Sequence, residues 1–65
     1  MEFATCAELS RMTGGALTEE YIRAACHRHG PNPLPHLECG ERRPRIKVEV
    51  GEFWDWFEKE RKSYF

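Results

Sequence analysis

Glycine and proline cut this chain into pieces that only small elements can fill. Gly14 and Gly15, then Gly30 with Pro31 and Pro33, then Gly40 with Pro44, divide its 65 residues into four short stretches. Glycine readily adopts positive φ and proline has no N–H to donate, so these residues end helices and open turns. A chain of this length makes one small domain, residues 1–65, whose core needs close packing or a staple. No apolar run approaches the roughly 18 residues of a membrane span. The opening "MEFATCAEL" has neither a basic n-region nor an apolar h-region, so it does not read as a secretory signal, and a cytoplasmic protein is expected.

The stretch "TCAELSRMTGG" reads as a short helix. Thr5 and Glu8 stand in capping-box spacing, and Cys6, Leu9 and Met12 fall at helical intervals. "LTEEYIRAACHRHG" reads as a second helix, with Thr18 as N-cap, Glu19 and Glu20 in the dipole-favoured first turn, and Gly30 as the stop. Its periodicity gathers Tyr21, Ile22, Ala25, Cys26 and His29 on one face. Glu20, Arg23, Ala24 and His27 gather on the other, with Arg28 at the edge. Two short helices around a glycine-containing turn form a helix-turn-helix pattern.

Beyond it, Leu34 to Cys39 and Arg45 to Val48 alternate with period two around a turn at Gly40 to Pro44. Leu37, Cys39, Ile46 and Val48 are predicted to point inward. The last stretch, "VEVGEFWDWFEKERKSYF", predicts a helix capped by Glu49. Its stripe is Val50, Phe53, Trp54, Phe57, Arg61 and Tyr64, with Trp56 on the flank and available, with the terminal "SYF", to a partner. The fold class read from these elements is α+β, three helices and a two-stranded antiparallel hairpin in the order α-α-β-β-α.

Net charge is only −1, yet it is unevenly placed. Residues 1–20 hold one base and four acids, residues 21–47 six bases and two acids, and residues 48–65 three bases and five acids. The local field rather than the total is what a phosphate backbone meets. A recognition helix bearing Arg23, His27 and Arg28 beside a hairpin bearing Arg42, Arg43, Arg45 and Lys47 suits double-stranded DNA. The bland alternatives are an αα-corner that only packs and a solvated turn whose charges protect an edge strand.

Three cysteines without an export signal argue against a disulfide framework and read as small buried hydrophobes. Cys26, His29, His36 and Cys39 have a spacing that zinc sites use. Cys26 and His29 lie on the apolar helix face, however, and His36 and Cys39 have opposite strand parity, so no metal is expected. No cofactor is expected either. A cysteine nucleophile beside histidines would need a cleft that so short a chain rarely builds, which predicts a non-enzymatic protein. The aromatics of the final helix read as core rather than as a base-stacking platform.

Four stretches in this order carry a family resemblance across Phe3 to about Arg61. They are "ATCAELSRMTGGALTEEYIR", Gly30 after the second helix, "LPHLECG", and "IKVEVGEFWDWF". The chain resembles the small excisionase-like DNA-binding proteins, recombination directionality factors with a winged helix-turn-helix related to the MerR DNA-binding domain. The resemblance implies that the helix beginning at Thr18 enters a major groove, with Tyr21, Arg23, His27 and Arg28 on its recognition surface. It implies that Arg42, Arg43 and Arg45 belong to the wing, to which Lys47 adds phosphate affinity. It also implies sequence-specific binding near recombination sites of a mobile element, or small-scale transcription regulation, with a tyrosine-type recombinase as possible partner and self-association on DNA. The link "GPNPLP", the wing turn "GERRPR" and the acidic pair Glu19 and Glu20 depart from the family's pattern. A protein-interaction adaptor on the same fold is the alternative.

Overall fold

A computed structural model describes residues 2–42 and 45–64, with Tyr64 described by its backbone alone. The elements run β1 (Phe3–Ala4), α1 (Cys6–Met12), α2 (Glu19–Cys26), β2 (Leu37–Cys39), β3 (Arg45–Glu49) and α3 (Val50–Tyr64). The chain is thus α+β with three helices and a three-stranded antiparallel sheet in the order β1-β3-β2. The expected order α-α-β-β-α lacked β1. Two residues carry no readable periodicity, and their partner lies far along the chain. Phe3 pairs with Glu49 and Ala4 with Val48, and the Val50 amide donates to the Glu2 carbonyl at 2.9 Å.

The helix starts follow the expected chemistry. The Glu8 amide donates to Thr5 Oγ1 at 3.2 Å and the Thr5 amide to Glu8 Oε1 at 3.1 Å, closing a capping box. Thr18 Oγ1 accepts from the Tyr21 amide at 3.1 Å. Between the helices, Gly14 and Gly15 take φ values of +69° and +86°, which a side chain would oppose. The turn is held by side chains: Ser10 Oγ donates to the Leu17 carbonyl at 2.7 Å, and Thr13 Oγ1 accepts from the Leu17 amide at 3.3 Å. Leu17 is thereby fixed under the pair, buried with Leu9 and Ile22. Met12, at the open end of α1, is exposed rather than part of that apolar row.

The second helix ends at Cys26, not at Gly30. The returning chain competes for its last carbonyls, since Ala25 O accepts from both the Arg28 and Leu34 amides. Three prolines hold residues 31–35 away from helical dihedrals, and Asn32 adopts a left-handed φ of +58°. His27 is therefore the C-cap, and Arg28 and His29 lie beyond the helix.

The hairpin corrects a parity. Leu37 pairs with Lys47, Glu38 with Ile46 and Cys39 with Arg45. Directly opposed residues share a sheet face. Leu37 and Cys39 thus join Lys47 and Arg45 on the outer face, and all of β2 is exposed. The inward side belongs to Ala4 and Val48, with Ile46 half-buried at its end. An edge strand of three residues opposite a charged partner has no apolar layer to join. Arg43 and Pro44, the latter expected just before the second strand, lie outside the described residues, as does Phe65.

The last helix is rotated relative to the expected stripe. Among its described side chains, Phe53, Trp56 and Glu60 are buried, while Val50 and Phe57 are half-buried. Trp56, expected on the exposed flank, is 2% accessible. Trp54, expected in the stripe, is 39% accessible, and Arg61 pairs with Glu58 on the surface. A carboxylate at position 60 breaks the apolar count, so the visible stripe drifts one residue around the helix. Glu49 does cap α3, its Oε2 accepting from the Glu52 amide at 2.6 Å.

Candidate nucleic-acid interface

The exposed side of α2 carries Glu19, Arg23 and, at its cap, His27, spaced four residues apart and so aligned along one edge. That edge faces the hairpin across an open groove. Glu19, Arg23 and His27 form one wall, and Glu38, Arg45 and Ile46 form the other. The fold therefore brings Arg23 and His27 to a groove whose hairpin wall carries Glu38 and Ile46, with Arg45 bordering it from the outer sheet face. Thr18 caps α2 at one end of this edge.

The electrostatics of the groove are mixed. Glu19 Oε1 lies 2.7 Å from the Arg23 guanidinium, an exposed i,i+4 pair that steadies the side chain and offsets its charge. His27 and His36 both approach Glu38 Oε1, at 3.9 and 3.5 Å, and their rings meet edge-on at 5.8 Å. This cluster ties the end of α2 to β2. On the hairpin, Arg42 and Arg45 are exposed and Lys47 is half-buried. Among the described residues, none of these three has a carboxylate within ion-pair distance. Arg43 lies outside the described residues.

Two residues expected on the recognition surface are engaged elsewhere. Arg28 turns inward and grips Glu60 with both guanidinium arms, Nη1 to Oε1 at 2.9 Å and Nη2 to Oε2 at 2.8 Å. The Tyr21 hydroxyl donates to Glu60 Oε2 at 2.6 Å, and Asn32 Nδ2 to Oε1 at 3.1 Å. Trp56 Nε1 donates to the Asn32 carbonyl at 2.9 Å, completing the cage. Glu60 is wholly buried. Hydrogen bonds from Arg28 hold its carboxyl below the usual carboxylate range against the opposing effect of burial, and those bonds keep Arg28 firmly protonated. Burial and then Glu60 itself push the Tyr21 phenol up. Among the described residues, no buried side-chain nitrogen or oxygen lacks a hydrogen-bond partner.

This cage was missed from sequence. The available signal was Glu60 itself, four positions after Trp56 and seven after Phe53. An acid on an inward stripe requires a buried cation and further donors.

Cys6 and Cys26 are buried, whereas Cys39 is exposed on β2 and does not join the core. The spacing Cys26, His29, His36 and Cys39 does not close on itself. Among the described residues, no three His, Cys, Asp or Glu side chains are arranged to hold a metal. No helix of the described residues is long and apolar enough to cross a membrane. Compared with known proteins, the chain matches no family model, no curated protein and no solved structure.

Proposed function

We propose that this chain is a non-enzymatic, sequence-specific DNA-binding module of winged helix-turn-helix type. In this reading it works as an excisionase-like factor or small regulator of a mobile element. One observation carries the reading: α2 and the hairpin flank one open groove, with Arg23 on the helix and Arg45 bordering it from the outer sheet face. α2 lies in the major groove and β2–β3 lies along the adjacent backbone. Arg23, steadied by Glu19, reaches a base edge or a phosphate. His27 adds a contact at the end of the helix. Arg42, Arg45 and Lys47 supply phosphate affinity that falls with salt. Tyr21 and Arg28 act behind this surface, holding α2 against α3. One domain of this size covers little DNA, so tight binding calls for adjacent copies or a partner such as a tyrosine-type recombinase.

The deciding experiment is a salt titration of binding to a random duplex and to DNA surrounding the chain's own gene. The reading expects tighter binding to the local DNA with a steep salt dependence. Replacing Arg42, Arg45 and Lys47 together with glutamine should lower the log–log salt slope by about 1 per lost contact. Equal, weak binding to both duplexes, unchanged in the triple variant, would overturn it. The adaptor reading then stands, favoured by Leu37 (53% accessible) and Phe3 (41%) on the outer sheet face rather than by Trp56.

A further inference from the structure

One carboxylate on the groove wall works against a DNA backbone, and two histidines stand beside it. Glu38 is opposite Ile46 in the hairpin register, so it lies on the other face from Leu37 and Cys39 and lines the groove. On the helix wall, Glu19 and Arg23 pair with one another at 2.7 Å. Glu38 is therefore the charge left on the facing walls, and Arg45 borders them from the outer sheet face. Cys6 also borders the groove, and Cys26 lies within the field of Glu38. Burial pushes both thiols up, Cys26 to about 12, so both stay neutral near neutral pH. The charge of this corner is thus decided by His27 and His36.

The geometry at His36 suits a cation. Its Nδ1 lies 3.0 Å from the Leu34 carbonyl oxygen and its Nε2 lies 3.5 Å from Glu38 Oε1. A neutral imidazole has one N–H and can serve only one of these acceptors, whereas the protonated ring presents an N–H to both. The nearer acceptor is the carbonyl. A neutral His36 therefore carries its hydrogen on Nδ1 and turns a lone pair toward the carboxylate. His27, at the exposed end of α2, brings its Nδ1 within 3.9 Å of the same Glu38 oxygen. The two rings meet edge-on at 5.8 Å, so both act on one carboxylate.

We propose that His36 and His27 are a proton-operated switch on the groove: protons taken from solvent mask Glu38, replace an anion on the wall by a neutral or positive cluster, and tighten the binding of DNA. This inference rests on the reading of the groove as a DNA site. Linkage makes the effect reciprocal, so DNA binding draws protons onto the same rings. The extra positive charge also steepens the salt dependence of binding.

Nitrogen-15 NMR of the histidine rings in the free full chain reads the switch itself, at about pH 8 and about pH 5.5, the interval across which imidazoles change charge. His36 should carry hydrogen on Nδ1 at the higher pH and on both nitrogens at the lower. Hydrogen on Nε2 alone at the higher pH, or no change between the two, would overturn the proposal. Binding to DNA surrounding the chain's own gene is then measured at both pH values and one ionic strength. Affinity should be about fivefold or more higher at the lower pH. His27→Gln combined with His36→Gln should abolish that difference, and His29→Gln, at an exposed histidine outside the cluster, should keep it. Glu38→Gln should strengthen binding at the higher pH by removing the anion without a proton, a check that does not depend on the double variant folding. Equal wild-type affinity at both pH values, a difference that persists in the double variant, or no gain from Glu38→Gln would overturn the switch and leave the DNA reading intact. Absence of binding at both pH values would overturn the DNA reading and the proposal together.

Discussion

Arg28 and Arg45 are the same residue in opposite circumstances. Arg28 lies against α3, its guanidinium held by both oxygens of a buried carboxylate and stacked near the Tyr21 ring at 5.9 Å. Arg45 stands on an exposed strand, with no carboxylate within ion-pair distance among the described residues. The first is structural. Its charge is consumed in joining three parts of the chain (α2, the proline link and α3). The second leaves its charge to the surroundings. Positive charge counted along a sequence therefore overstates the charge a partner can meet, because some of it is turned inward.

The contrast can be broken most forcefully at Glu60. Glu60→Ala leaves Arg28 and Tyr21 facing a half-buried void and should destabilise the fold by about 3–5 kcal/mol, read by urea denaturation. That is a large share of the stability of a domain this small. Pairing Glu60→Leu with Arg28→Met should recover much of the loss. If the double variant is no better than Glu60→Ala, the cage contributes through something other than its charges.

Trp56→Ala should cost about 3–5 kcal/mol and Trp54→Ala about 1 kcal/mol or less, a difference that thermal melts resolve. Equal losses would contradict the rotation of α3 described above.

Acid should act on the same corner. The folded carboxyl of Glu60 lies below its unfolded value, so its stabilising effect is complete above the ordinary carboxylate range and is lost as pH falls through the folded value. Stability should drop below about pH 4.5, and the drop should be shallower in Glu60→Gln. Thr18→Ala should cost about 1 kcal/mol through the lost cap on the Tyr21 amide. At the other extreme, glutamine at Arg42 or Arg45 should shift stability by no more than about 0.5 kcal/mol while changing any salt-dependent binding.

What could be read from sequence followed the range of the interactions. The caps at Thr5 and Thr18 join residues three positions apart, and both were legible. The inward alternation of Ile46 and Val48 was legible too, because α1 and α3 pack against β3 on that side. Leu37 and Cys39 misled, since alternation fixes which residues share a face but not which face is covered. The end of α2 was misplaced because Gly30 gives a local signal, whereas the actual stop depends on Leu34 reaching Ala25. Of the candidate surface, Arg23, His27 and Arg45 border one groove, Arg45 from the outer sheet face. Tyr21 and Arg28 were drawn away by a carboxylate 32 positions beyond Arg28, a partnership whose local trace was an acid on the inward side of α3 and nothing in α2 itself.

The pairing of β1 with β3 also sets an order of events during synthesis. Phe3 and Ala4 are made before either helix, yet among the described residues their sheet partners are Glu49 and Val48. A nascent chain can form the α1–α2 hairpin from neighbouring contacts as soon as both helices have emerged. The sheet must wait until β3 leaves the ribosome. During that interval Phe3 and the inner side chain of Ala4 stay uncovered. A pause in translation between the two helices and β3 would lengthen the time in which this unpaired strand can engage a chaperone or another nascent chain.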